Sequence, residues 1–179
     1  MHVQEAMIHE LGTHDTPRFI TRCGANLAKF QVAMIFQVTD VGTPTIYNGG
    51  AYGTRDANDS DVRRTFDWPN APLSDTPVAL AHELISIRSA YPALRTGSFM
   101  TRGVDNADEV YACSRFDASN RIALVLNSDS SAHGVTLPVR QLSKANGSSV
   151  SDLLSRAACT VSKGSVSVNA SADSGALLE

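Results

Sequence analysis

"HELGTHDTPR", residues 9–18, sets two histidines, two acids and an arginine in one short run, and whether that run is helix or strand decides the fold. A zinc-hydrolase helix needs H-E-x-x-H, because a four-residue step brings both imidazoles to one face with the glutamate beside the bound water. His9, Glu10 and His14 instead read H-E-x-x-x-H, which turns the second imidazole about 100° further round a helix. Gly12 and Pro17 also oppose a regular helix across the stretch. What remains is a strand running into a loop, with His14, Asp15 and Arg18 near the strand end, where parallel barrels keep their reactive groups. Neither a metal nor a cofactor is expected.

Outward from this strand the pattern alternates. "MIHELGTH" (7–14) reads as a buried strand, and "ANLAKFQVAMIFQVTD" (25–40) as a helix with Asn26 at its N-cap and apolar residues on nearly every face. "GTPTIYN" (42–48) reads as a second strand. A polar loop over 49–74 leads to a helix with Thr76 as N-cap, Pro77 at its first position and Pro92 closing it. Strand, helix, strand, long loop, helix is two βα units of a parallel sheet. Beyond Thr96 the period shortens to runs over 109–117, 121–129, 132–139 and 159–171, each bounded by Gly, Asn, Asp or Ser, which predicts an antiparallel β-domain. The division is therefore set at 1–95 and 96–179. Residues 178–179, "LE", are of a kind that cloning can append and carry no weight in this reading.

The chain has 179 residues, 42% hydrophobic and 18% charged, enough for one sizeable core or two small ones. A net charge of −3 and a pI near 5.9 lack the basic excess that draws nucleic acid or an anionic membrane, so the expected partner is neutral. Cys23, Cys113 and Cys159 are odd in number and form no C-x-x-C pair, and read as buried thiols. No apolar run is long enough to span a bilayer, and the N-terminus lacks the features of a secretion signal, so the location reads as cytoplasmic or unassigned. Sequons begin at Asn58, Asn146 and Asn169, with nothing else to indicate secretion.

"GTHDTPRFITRCG", "FQVTDVGTPTIYNGG", "DVRRTFDW" and "ELISIRSAYPALRTGSF", in this order and at this spacing, closely resemble the last quarter of the catalytic barrel of α-amylase-family glycoside hydrolases. The nearest branch is that of neopullulanases, cyclomaltodextrinases and maltogenic amylases, and the strand pair "VYACSRFD…RIALVLNSD" resembles the family's C-terminal β-sandwich. The resemblance implies an α/β plus all-β chain. Residues 1–95 would be the part of a (β/α)8 barrel from strand seven to helix eight, and 96–179 an antiparallel β-sandwich. It also implies that the nucleophile and acid/base, which follow strands four and five in the family, lie outside this sequence. Asp15 matches the family's third acid, which holds sugar hydroxyls at the cleavage subsite and favours the distorted ring, and His14 matches the histidine that bonds the same sugar. Where the family commonly continues "IYYGDE", this chain departs at Asn48, Gly50 and Ala51, and His9 and Glu10 replace an asparagine and an apolar residue.

Several residues keep two readings. His14 and Asp15 serve a sugar subsite or only cap a turn. Arg18 orients Asp15, binds sugar or forms a surface ion pair. Tyr47 and Trp68 offer flat amphipathic rings for a glucose face, with core packing the alternative for Tyr47. Arg63 and Arg64 resemble the family's paired loop arginines, one of which anchors the loop. Asp56, Asp59, Asp61 and Asp67 read as solvated loop acids, and Glu10, about 16 Å from Asp15 in an extended strand, is no catalytic partner for it. The implied function is the terminal part of an α-glucan hydrolase acting on α-1,4-glucan or maltooligosaccharide, with little activity of its own. The alternatives are a glucan-binding module that does not cleave, or a structural remnant. Unpaired strand edges and the apolar run Phe30, Val32, Met34, Ile35 and Phe36 further predict self-association as a dimer.

Overall fold

The computed structural model describes residues 6–56, 59–74, 76–139 and 142–179. They divide into two compact units, the first ending at Ser86 and the second beginning at Ile87. The division falls inside a helix, earlier in the chain than the change in sequence period.

In the first unit, β1 (Ile8–Glu10) and β2 (Thr43–Thr45) pair in parallel, with Ile8 opposite Thr43 and Glu10 opposite Thr45. Between them lie one turn of helix, α1 (Phe19–Arg22), and the longer α2 (Leu27–Thr39). Gly24 and Ala25 both take positive φ, which ends α1, and the Asn26 side chain then accepts from the Lys29 N–H, as expected of an N-cap. Phe30, Met34 and Val38 follow the four-residue repeat of one helical stripe and are buried together with Val32 and Ile35. Gln37, buried among them, donates from Nε2 to the carbonyls of His9 at 2.9 Å and Thr45 at 2.8 Å. One amide thus ties α2 to both strands and satisfies carbonyls that burial would otherwise leave bare.

Two expectations need correction here. The stretch 7–14 is not a buried strand: only three residues pair, and Ile8 is 64% exposed, because among the described residues β1 has β2 as its sole strand neighbour. The apolar run of α2 is largely covered, with only Phe36 of the five well exposed. After β2 come a 3-10 turn (Gly50–Tyr52), the short α3 (Asp59–Val62), a second 3-10 turn (Trp68–Asn70) and α4 (Thr76–Ala90). Thr76 is the first helical residue of α4 rather than the cap before it; residue 75 lies outside the described residues. Pro92, beyond the end of α4, also opens the single turn α5 (Ala93–Thr96).

The second unit is built on a four-stranded antiparallel sheet in the order β10 (Ser174–Leu178), β5 (Arg121–Asn127), β4 (Val110–Phe116), β3 (Ser98–Asp105). Two two-stranded ribbons accompany it: β6 (His133–Pro138) with β9 (Ser165–Ala170), and β7 (Ser149–Ser151) with β8 (Ala158–Thr160). Ala112, Ala123, Val125 and Leu178 from the sheet share one core with Leu137, Val150, Val161 and Val166 from the ribbon side, the layering of a sandwich. β5 does not alternate: Ile122, Leu124 and Leu126 are buried as well as Ala123 and Val125, because α5 packs against β4 and β5 on the other face.

The run 159–171 is broken by a two-residue turn at Lys163 and Gly164, both at positive φ, with Ser162 and Ser165 exchanging backbone bonds across it. The terminal "LE" belongs to the fold. Leu178 is buried in β10, and Glu179 exchanges backbone bonds with Ser151 and accepts from the Tyr91 hydroxyl at 2.7 Å. Burial and that carboxylate push the Tyr91 pKa up to about 12. Cys113 is buried, whereas Cys23 and Cys159 are only partly so. Among the described residues no helix is long and apolar enough to cross a membrane.

His133, at the start of β6, ties the β3–β4 loop to the β5–β6 loop. Its Nε2 lies 2.6 Å from Asp129 Oδ2 and its Nδ1 3.2 Å from Asp108 Oδ2. The bond to Asp129, with Asp108 and Asp105 adding attraction, holds the imidazole above its ordinary pKa of 6.5, and the same bond holds Asp129 below 3.8. A raised pKa gives stability that is complete below the unfolded-state value and is lost as pH rises through the folded one; Asp129's share is lost as pH falls through its lowered value. The melting temperature of this unit should therefore fall as pH rises past the ordinary imidazole value of 6.5, with that slope flattened in His133→Gln. Equal slopes in the two proteins, followed by circular dichroism, would assign the effect to another group.

Candidate functional site

Beyond Glu10 the chain leaves the sheet and is held by short local bonds. The Asp15 N–H donates to Thr13 Oγ1 at 3.0 Å and the Thr13 N–H to Thr16 Oγ1 at 3.1 Å, the side-chain turns that Ser and Thr form when the backbone is in neither helix nor sheet. This presents His14 and Asp15 to solvent side by side, with His14 Nε2 3.0 Å from Asp15 Oδ2. The other carboxylate oxygen, Oδ1, accepts from Arg63 Nη2 at 2.6 Å, and Arg63 Nε donates to the His14 carbonyl at 3.1 Å. Asp15 is thus held on each oxygen by a different side chain while more than half of it stays exposed. Exposed pairs of this kind add little to stability. Their consequence is directional: the carboxylate is fixed with lone pairs left over for hydroxyl donors.

Arg18 does not share in this. It is 4% exposed, and its guanidinium lies 3.5 Å from Asp56 Oδ2, 4.5 Å from the centre of the Tyr47 ring, and donates to the carbonyls of Asn48 and Val62. Neither an orienting contact with Asp15 nor a surface ion pair is what the structure places there; the pair is buried. Asp56 is likewise no solvated loop acid. It is 4% exposed, it also binds Arg64 at 3.0 Å, and its backbone is locked by Arg18 N–H to Asp56 O and Asp56 N–H to Thr21 Oγ1. Gly49, at φ 73°, opens this loop, and a Cβ there would meet Thr54 Oγ1 at 2.6 Å, so any other residue would be strained and would have to displace Thr54.

These contacts form a chain of positioning. Arg18 holds the carbonyl of Val62, the Tyr47 hydroxyl holds the same carbonyl at 3.2 Å, and the next residue, Arg63, reaches Asp15. Tyr47 is therefore a packed ring, stacked on Arg18 and 6.3 Å from the His14 ring. Trp68 is 77% exposed, and its ring contact is with Phe66, edge to face at 4.8 Å. Of the residues singled out in the sequence, His14 and Asp15 come together, Arg18 and Tyr47 build the wall behind them, and Trp68 belongs to a separate aromatic group. Arg63 is the contact that sequence reasoning missed, since nothing in a spacing of 48 residues signals it. Among the described residues no group of three histidine, cysteine or carboxylate side chains is placed to hold a metal ion.

A family model described as "Alpha amylase, catalytic domain" matches residues 1–115. Neopullulanase 2 of Thermoactinomyces vulgaris is 36% identical over 129 residues, 72% of this chain and 22% of that protein. A cyclomaltodextrinase of Geobacillus thermopakistaniensis is 29% identical over 137 residues, 76% of this chain and 23% of that one. The chain thus spans under a quarter of the length of these relatives. Among solved structures, a cyclomaltodextrinase covers 98% of this chain and 30% of its own at a TM-score of 0.85 and 27% identity. An Anoxybacillus α-amylase, at 18% identity and a TM-score of 0.86, shares the fold.

Proposed function

Because the chain belongs to the α-amylase catalytic-domain family, we propose that it forms the closing part of an α-glucan-hydrolysing site, in which Asp15 and His14 grip the hydroxyls of one glucose unit and Arg63 holds Asp15 in place. The observation that carries this is the exposed carboxylate fixed between His14 and Arg63 at the end of a parallel strand. A carboxylate set to accept from ring hydroxyls strengthens its bonds as positive charge grows on the sugar, so it assists the bond-breaking step through differential binding. Breaking the glycosidic bond by retention takes two further carboxyl groups about 5 to 5.5 Å apart, and these 179 residues contribute the third acid, not that pair.

A site with one wall binds weakly. Maltotriose is expected to bind with a dissociation constant in the millimolar range, about −4 kcal/mol. Nuclear magnetic resonance shifts of the His14 imidazole and the Asp15 amide should saturate together, and Asp15→Asn should abolish saturation. Signals that stay fixed while sugar is added would rule the subsite out. We also propose association of two copies, supported by β1 having β2 as its sole strand neighbour among the described residues and by the exposure of Met7 and Ile8. Sedimentation at several concentrations should show a dimer that Ile8→Lys dissociates, and a wild type monomeric at every concentration would end that reading.

A further inference from the structure

β10 is an edge strand whose outer side is covered for part of its length. On the inner side, the Ser128 N–H donates to the Glu109 carbonyl toward β4, so Asn127, Val125 and Ala123 are the β5 residues that turn to β10, opposite Ser174, Ala176 and Leu178. Leu177 and Glu179 face outward. Glu179 exchanges backbone bonds with Ser151, the Leu177 carbonyl accepts from the Leu153 N–H, and the Leu177 N–H donates to Asp152 Oδ1 at 2.9 Å. This cover then ends, because the chain turns back at Asp152, whose N–H donates to the Ala157 carbonyl and whose carboxylate accepts from the N–H groups of Leu154 and Ser155. Gly175, two residues before Leu177, turns its N–H and carbonyl the same way, and among the described residues nothing bonds to either group on that side.

Gly175 faces a cavity of about 850 Å³ including its mouth, within the size range of ligand pockets. Val168 of β9, Cys159 of β8 and Ala176 of β10 line it, each packed at the margin of the sandwich core and only partly buried. The Ser155 hydroxyl on its rim is already committed to Asp152. We propose that this slot takes an extended peptide segment, one residue of which pairs through its backbone with Gly175 while the next lays a compact apolar side chain against Val168, Cys159 and Ala176. The free donor and acceptor of one extended residue choose this occupant, since another strand supplies both complements at matching spacing and a hydrocarbon supplies neither. Side chains alternate along a strand, so the neighbour of the residue paired with Gly175 points to the core face, where Ala176 and the cavity lie. This is strand addition, in which backbone bonds give affinity and a pocket selects the side chain. The turn at Asp152 closes one end of the slot, so the added segment is short. Nothing in this inference depends on the glucan reading of Asp15.

Titrated with a capped pentapeptide of alternating threonine and valine, the full chain should show saturating nuclear magnetic resonance shifts of the Gly175 and Ala176 amides, with a dissociation constant of about a millimolar for so few contacts. Solvent exchange of the Gly175 N–H should slow. Alkylation by iodoacetamide should slow as well in Cys23→Ser, where Cys159 is left as the partly exposed thiol beside the buried Cys113. The same peptide N-methylated at its threonines keeps the valine side chains, loses the donors that would face Gly175, and should bind about tenfold more weakly. Gly175→Pro removes the outward donor, leaves the bonds to β5 in place and should weaken binding to a similar degree, whereas Gly175→Ala should not; circular dichroism checks that both variants fold. Equal binding of the plain and methylated peptides overturns the backbone pairing. A slowed thiol without a shift at Gly175 places the peptide elsewhere and overturns it too, as do amides that stay fixed throughout the titration or that answer maltotriose as strongly as the peptide.

Discussion

Replacing Asp56 by alanine is expected to destabilise the first unit by roughly 3–5 kcal/mol, the usual loss when one partner of a buried ion pair is removed. Arg18 would keep its charge at 5% side-chain exposure, faced among the described residues by the Asn48 and Val62 carbonyls and the Tyr47 ring. Arg64 would lose its anchor at the same time. Since a whole domain is stable by about 5–15 kcal/mol, the loss takes up much of the margin. Replacing both members together, Asp56→Leu with Arg18→Met, should cost clearly less than Asp56→Ala, because no uncompensated charge then remains buried. Trp68 lies in the first unit and is the only tryptophan, so its fluorescence during urea unfolding follows this unit, while circular dichroism follows the whole chain. A loss below about 1 kcal/mol would place the pair in solvent in solution, where exposed pairs are worth that little.

How far the sequence foretold this depends on what each residue's neighbours are. Asn26 and the four-residue repeat of Phe30, Met34 and Val38 are local signals, and the cap and helix stand where they point. The parallel pairing of two strands around that helix follows from the same pattern. Burial of 7–14 was misread because apolar residues in a strand report what could be covered, and here Met7 and Ile8 are left open. β5 is buried on both faces because α5 covers the second, a fact no residue within β5 records. The buried pairing of Arg18 was not legible, since its partner Asp56 sits 38 positions away in a run of loop acids that look alike in sequence. Distance along the chain hid Arg63 in the same way. Chemistry carried by neighbours in sequence, His14 beside Asp15, was legible; chemistry assembled by a loop returning to a strand end was not.

The largest expected effect is on catalysis. Expressed alone, these 179 residues should hydrolyse starch, pullulan or maltoheptaose slower by about six orders of magnitude than an intact enzyme of the family, the scale of loss when nucleophile and base are both missing. The geometry gives the reason. Among the described residues the polar partners of the Asp15 carboxylate are His14 and Arg63, groups that fix a carboxylate as an acceptor, and neither is a second carboxyl to share the work of retention. Joined to the preceding βα units of a close relative, the chain should regain turnover, and in that hybrid Asp15→Asn should cut kcat by roughly 10²–10³, the range for losing one preorganised transition-state contact. Arg63→Met should lower kcat by a smaller factor with KM nearly unchanged, because it acts through the placement of Asp15 rather than on the sugar. Reducing-sugar release from homogeneous protein measures each of these. Turnover by the isolated chain that disappears in Asp15→Asn would mean that this segment holds a complete catalytic set, and the assignment of Asp15 as an assisting acid would have to be abandoned.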